Sequence, residues 1–415
     1  MIGLDTDWRE LYRTGKTQKL KGLRLVRKID PHNFNIARRS TGRDINRRIA
    51  LNLVREHQPI SRAELARRMK TTRGTVGILI NELISEGVIY EGGNGHTARG
   101  RKPVFLHVRT RDRLVVAADV RVSRIDVMLC DFAGRQIALE TLDPILAPSD
   151  FITRFASCAG ALLKDNASAG KCEGVGVVIP GMVDRDTGRV INAPQLGWRN
   201  VELRDPLSKA TGLPVFVESA GKACALAQMW LSPVDDPGAH NFIYVSISDG
   251  VGTGLVVEGE LVRGNNQIAG EFGHMPLSFD GPLCACGAHG CWMAYISNLA
   301  TISRYGDTVT VTEIIDRARR GDSKAKAAIQ ATARYLGLGL VTIIHGVDPA
   351  RIYIGGEITT GWDMVEPVMR SVLAERALDE EAVRTVIQPS TIEFPRLRGA
   401  AALVAAPTFA ALRLA

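Results

Sequence analysis

Residues 247–274, ISDGVGTGLVVEGELVRGNNQIAGEFGH, and residues 284–293, CACGAHGCWM, decide how this chain is read. The first stretch is a glycine-rich hairpin beside two apolar runs, residues 242–247 and 255–257. Gly250, Gly252 and Gly254 alternate, so the backbone there can turn sharply or approach a ligand closely. A plain tight hairpin explains that spacing equally well. The second stretch is more specific. His274, Cys284, Cys286 and Cys291 form H-x9-C-x-C-x4-C, an imidazole and three thiols close together in the chain. Zinc takes four such ligands tetrahedrally, and a Cys3His set belongs to closed structural sites. Gly287 and Gly290 let the loop fold round an ion. The rival reading, three buried free thiols and an unrelated histidine, leaves the clustering without a reason.

Outward from this segment, composition sets the frame. With 415 residues, two or more domains are expected. Hydrophobic residues make up 45% and charged residues 23%, an ordinary globular composition. No apolar run reaches the ~18 residues a membrane span needs, and the polar, basic N-terminus is unlike a secretory leader. Four cysteines lie outside the cluster, Cys130, Cys158, Cys172 and Cys224, scattered in apolar context. They fit a reduced cytoplasm better than a disulfide framework. Charge is uneven: residues 1–110 carry 23 Lys+Arg against 10 Asp+Glu, the remainder 29 against 34. A basic end points to a polyanion partner, the rival being a merely solvated arm.

Residues 1–43 read as a basic extension, with helical stretches around Trp8–Leu11 and Leu20–Ile29 broken at Pro31. Residues 44–110 read as a domain. Ile45, Ile49 and Leu53 fall at helical spacing. Ser61 is placed to cap SRAELARRM, with Glu64 at the capping-box position. Thr72 is placed to cap RGTVGILINELISEG, whose apolar stripe is Val76, Leu79, Ile80 and Leu83, with Gly87 as the stop. Two strand-like runs follow, VIYEG and PVFLHV, joined through a glycine-rich basic turn. Three helices and a β-ribbon make a winged helix-turn-helix. The second helix of such a pair enters the major groove with its N-terminal residues near base edges. Thr71, Thr72, Arg73 and Thr75 occupy that place, with Arg62 beside them on the preceding helix. Arg99, Arg101 and Lys102 arm a slim wing suited to a minor groove. A helical interaction domain whose arginines are only surface charge is the rival.

The segment from Ile247 to His274 resembles the signature of the ROK family (repressor, open reading frame, kinase). Glycines 250, 252, 254, 264, 270 and 273 fall where that signature places them. SRAELA and GRKP resemble motifs of the N-terminal domain of ROK repressors. Residues 111–415 resemble the ROK domain throughout, including APQLGW, close to the family's APNLGW, and the Gly355-Gly356 turn. The resemblance implies an α/β, two-lobed, actin-like (ribonuclease H-like) domain with a ligand cleft between the lobes. It implies that Glu271 and His274 hold a sugar, with Gly181 and Ser219 in the same wall. It also implies that His274 doubles as a ligand of a structural zinc, within a site spanning 271–293. A metal on one imidazole nitrogen leaves the other as a fixed N–H donor.

Three departures bear on activity. The family's phosphate-binding turn runs Asp-x-Gly-Gly-Thr; here Asp119 is followed by Val120, Arg121, Val122 and Ser123. The glycines that let backbone N–H groups approach phosphate are gone. The catalytic Asp of Glu-Asn-Asp-Ala-Asn falls at Ala220 in Glu218-Ser219-Ala220-Gly221-Lys222, and alanine accepts no proton. The glutamate expected two residues after the last cysteine is Met293. The expectation is a cytoplasmic transcriptional regulator, a repressor. It binds operator DNA as a homodimer or homotetramer, senses a sugar through an inactive ROK domain, and has no membrane partner. The rivals are a ROK sugar kinase with a fused DNA-binding domain and an effector-independent DNA-binding protein.

Overall fold

A computed structural model describes residues 39–94, 104–145, 147–232 and 240–409. The helices expected in the N-terminal extension and the wing residues Arg99, Arg101 and Lys102 lie outside the described residues. Residues 1–46 with 411–415, and residues 47–410, are two compact units; of the first, only the opening of one helix is described.

The helix-turn-helix forms as its caps direct. Helix α1 (Arg39–His57) starts earlier than the apolar spacing suggested. Its buried face is Ala50, Leu51 and Val54, whereas Ile49 is 45% exposed. The expected stripe is thus rotated by about one residue. The helix has a second neighbour that a single-domain reading omits: Asn52 Nδ2 donates to the Phe409 carbonyl at 2.8 Å. Strand β1 (Ile60–Ser61) leads into α2 (Arg62–Arg68), where the Ser61 hydroxyl accepts from Glu64 N. Only half of the expected capping box is made, because the Glu64 carboxylate pairs with Arg67 and Arg68. Helix α3 (Arg73–Ser85) is capped by Thr72 and buries Val76, Leu79, Ile80 and Leu83, the stripe read from its spacing. Gly87, at φ +72°, lets the chain leave the helix. Strands β2 (Ile89–Asn94) and β3 (Val104–Val108) pair antiparallel, and β1 joins the β3 edge.

The rest of residues 47–410 is built from two five-stranded sheets. The first contains β4 (Arg113–Val120), β5 (Ile125–Asp131), β6 (Gln136–Leu142) and β7 (Lys171–Ile179). A small antiparallel sheet follows, β8 (Met182–Asp184), β9 (Arg189–Ala193) and β10 (Trp198–Glu202). Then β11 (Val215–Ser219) completes the first sheet in the order β11-β7-β4-β5-β6. The second sheet has β12 (Phe242–Ile247), β13 (Val251–Val257), β14 (Glu260–Leu261), β15 (Arg351–Gly355) and β16 (Val386–Pro389). Its order is β14-β13-β12-β15-β16. In each sheet three antiparallel strands are followed by two parallel ones. The two lobes repeat one topology, a duplication the sequence does not display.

Helices cover these sheets. Helix α4 (Pro148–Asp165) buries Phe151, Phe155, Ala159 and Leu162 on the first lobe. Helix α5 (Ala220–Leu231) springs directly from β11 and is buried along most of its length. Helix α6 (Ser323–Val347) is long and apolar enough to cross a membrane by length and composition. It is instead a core helix of the second lobe, with Ala333, Leu336, Leu340 and Ile343 fully buried. Helix α7 (Pro395–Phe409) returns from the second lobe to pack on α5, β4 and β7.

Candidate ligand cleft, metal cluster and nucleic-acid interface

A cavity of about 500 Å³ is lined by both lobes. Its wall includes all four residues expected to hold a ligand: Gly181, Ser219, Glu271 and His274. Gly181 ends the turn after β7, and a Cβ there would lie 2.4 Å from the Asn192 carbonyl oxygen. Ser219 caps the strand-to-helix junction between β11 and α5. Its hydroxyl is buried and has no hydrogen-bond partner among the described residues. A buried hydroxyl left unpaired is costly, so a ligand hydroxyl is a natural partner for it. Asn192 and Gln195 add amides to the same wall, while Met293, Val251 and Ile268 make it partly apolar.

The glycine alternation of β13 has a use that neither sequence reading named. A Cβ on Gly254 would lie 2.6 Å from the Gly221 carbonyl oxygen, and one on Gly221 would lie 2.2 Å from Thr253 N. The hairpin lets the first turn of α5 settle against it backbone to backbone. That contact fixes Ser219 and Ala220 at the cavity floor.

Most charges round the cleft are paired within the protein, whereas the Asp249 carboxylate accepts only from the Ser123 hydroxyl among the described residues. Lys222, 2% exposed, donates from Nζ to Glu271 Oε1 at 2.9 Å and to the Gln267 carbonyl at 3.0 Å. Arg263 pairs with Glu218, whose Oε1 also accepts from Ser219 N. Asp119 takes Arg121 Nε at 2.7 Å and Arg396 Nη1 at 3.5 Å. Two guanidinium groups therefore stand beside the carboxylate where the family's glycine turn would meet phosphate. Sequence reasoning missed Lys222, Arg263 and Arg396. For Lys222 there was a signal, a lone cation inside the apolar run AGKACALAQMW; Arg396 arrives from a distant helix and gave none.

The thiols and the imidazole converge. Cys284 Sγ lies 3.7 Å from His274 Nδ1, Cys286 Sγ lies 3.7 Å from Cys291 Sγ, and all four ligand atoms fall within 4.8 Å of one another. Ligands about 2.0–2.3 Å from a tetrahedral centre stand roughly 3.4–3.8 Å apart along its edges, so the donor set fits a metal ion. Burial pushes the Cys291 thiol up to about 12 and also raises Cys284. At Cys286 desolvation is outweighed by hydrogen bonds from the Ala288 backbone and neighbouring thiols, which lower it. A bound cation deprotonates coordinating thiols outright.

On the helix-turn-helix, Thr72, Arg73 and Thr75 are exposed and Thr71 is half-buried at the start of α3. The Thr72 hydroxyl accepts from Thr75 N at 3.1 Å and contacts Thr75 Oγ1 at 2.9 Å, so it serves the helix end. Arg62, also expected at this face, makes contacts within the module. Its guanidinium donates to Glu91 Oε1, Asn81 Oδ1 and the Gly77 carbonyl, bracing α2 to α3 and the ribbon. A side chain tied at three points holds these elements together.

A helix-turn-helix carried by a two-lobed body with an internal ligand cleft defines a ligand-responsive DNA-binding regulator. Residues 43–90 match the winged helix-turn-helix DNA-binding family, and residues 117–406 match the ROK family. The chain belongs to the ROK family. It is similar to the xylose repressor of Bacillus subtilis, 28% identical over 374 residues, covering 86% of this chain and 94% of that one. It is also similar to the DNA-binding transcriptional dual regulator NagC of Escherichia coli, 26% identical over 387 residues, covering 87% and 92%. Among solved structures, a ROK family transcriptional regulator homologous to the E. coli MLC protein superposes with TM-score 0.76, covering 88% of this chain and 96% of that one, at 24% identity. A Streptomyces griseus ROK glucokinase superposes with TM-score 0.63, covering 70% and 98% at 24% identity, and shares the fold of the two lobes. This chain is a transcriptional regulator: the relatives it matches over most of their length are named as a repressor and a dual regulator of transcription.

Proposed function

We propose that the chain is a repressor that releases or rearranges on operator DNA when a sugar enters the cleft. The observation that carries this reading is the convergence of Gly181, Ser219, Glu271 and His274 on one cavity in a chain whose base position is Ala220. Glu271, anchored by Lys222 through Oε1, keeps its second oxygen to accept from a sugar hydroxyl. Ser219 offers its unpaired hydroxyl. Zinc held by His274 Nδ1, Cys284, Cys286 and Cys291 would staple the wall that presents Glu271 and fix His274 as an Nε2–H donor. The curated relatives are named for xylose and for N-acetylglucosamine, which makes these two sugars the first to test. Arg73, Thr71 and Thr75 would meet bases and phosphates, with Arg99, Arg101 and Lys102 on the wing. The molecule would act in the cytoplasm as a dimer or tetramer on a pseudo-palindromic site. Phosphoryl transfer needs positioned phosphates, a metal and an oriented nucleophile. Here the Asp119–Arg121–Arg396 cluster fills the cradle.

The test is operator affinity, on a duplex selected from random sequence, measured with and without each sugar of a broad panel. A sugar that changes affinity and raises the melting temperature supports the reading. Met293, buried against the second-lobe core, favours the rival of a protein with no effector. No sugar effect on an otherwise functional DNA-binder would establish that rival.

A further inference from the structure

Helices α5 and α7 each have one end in the cleft and the other against the helix-turn-helix. Ala220 and Gly221 of α5, and Arg396 of α7, line the cavity. At the far ends, Trp230 of α5 and Phe409 of α7 meet edge to face, 5.1 Å between ring centroids. Helices of 12 and 15 residues span about 18 and 22 Å. They are locked together on the way, since a Cβ on Gly399 of α7 would lie 2.1 Å from the Ala223 carbonyl oxygen of α5. The pair therefore behaves as one rod from ligand site to DNA-binding module.

Arg55 of α1 sits where that rod ends. Its guanidinium carbon lies 4.1 Å from the Trp230 ring centroid and 5.3 Å from that of Phe409. Nη1 is buried with no hydrogen-bond partner among the described residues. The cation is held by ring faces. Such a contact is reversible, because on separation the guanidinium regains water and its unpaired N–H is satisfied. An apolar side chain would instead expose surface on leaving and would hold the parts together. Movement of α1 reaches the DNA face directly: Ala50, Leu51 and Val54 share a core with Val76, Leu79 and Leu83 of α3, and Arg47 Nη2 binds Glu86 at the end of α3 at 2.7 Å.

We propose that Arg55 is a positioning residue for the regulatory response, a releasable clasp through which displacement of the α5–α7 rod by a cleft ligand changes the setting of the recognition helix. This rests on the reading of the cleft as a sugar site. The experiment uses the full chain, a selected operator duplex, and D-xylose and N-acetylglucosamine as probes. Sugar affinity, melting temperature and the factor by which saturating sugar changes operator affinity are measured for the wild type and for Arg55→Met, Arg55→Lys and Trp230→Phe. Arg55→Met should bind sugar within about twofold of wild type and melt no lower, while the sugar-induced factor falls to about two or less. Arg55→Lys and Trp230→Phe, which retain a cation and a ring, should retain part of the response, and they carry the test if Arg55→Met does not fold. A wild type that responds beside an Arg55→Met chain that responds equally overturns the inference alone. A lowered melting temperature with an unchanged factor does the same, because it marks a brace. A wild type that answers to neither sugar removes both the inference and its premise for these ligands.

Discussion

Cys286 is the exposed cysteine of the four-residue cluster, and its replacement tests the metal with least disturbance to packing. Elemental analysis of the purified chain is expected to give one zinc per molecule, and Cys286→Ser to lose it together with several degrees of melting temperature, since structural sites contribute folding energy. Absence of zinc after reconstitution would refute the assignment. Ala220 supports a second expectation. Ala220→Asp restores a carboxylate but leaves Arg121 and Val122 in the phosphate turn, and groups that act as a unit are strongly non-additive. ATP consumption with a sugar panel should stay at background for this variant. Legibility at this scale followed chemistry. Metal ligands announce themselves by type and spacing, so the cluster was readable. Lys222 and Arg396 act through partners far away in sequence, Glu271 and Asp119, and such pairings need the fold.

Among the elements, α3 was the most readable, because one face is buried and one solvated, and helical periodicity records that difference. Arg73 stands exposed at its first turn, so Arg73→Ala is expected to cost about 1–3 kcal/mol in operator affinity if the side chain pairs bidentately with a base. Competition binding against single-base operator variants would reveal the position it reads. Strands β4, β5 and β12 are buried on both faces, so they read as mostly apolar runs with little alternation to fix register or neighbours. That is why the strands were legible and the repetition of one topology in two lobes was not. The contact between α5 and α7 makes a prediction of sign. In an open helix Gly→Ala is stabilising by about 0.5–1 kcal/mol. Gly399→Ala should instead destabilise, by about 1–3 kcal/mol, because its methyl meets the Ala223 carbonyl. Chemical denaturation decides between the two.

For the whole molecule, the expectation is that sugar binding and DNA binding separate by truncation. A chain reduced to residues 111–415 should lose operator binding altogether, and gel-shift measurements at fixed salt would detect any residue of it. Truncation would also expose apolar surface. The core of the helix-turn-helix is continuous with Val115, Met128 and Phe132 of the first lobe and with Leu397, Ala401, Val404 and Phe409 of α7. The helix-turn-helix module is thus finished by α7, the last helix among the described residues. Operator specificity in this protein should accordingly resist transplantation. A chimera that takes its first 110 residues from another regulator would set a foreign α1 against Trp230 and Phe409. Working hybrids should be those that exchange the N-terminal segment and the C-terminal turns of α7 as one complementary pair.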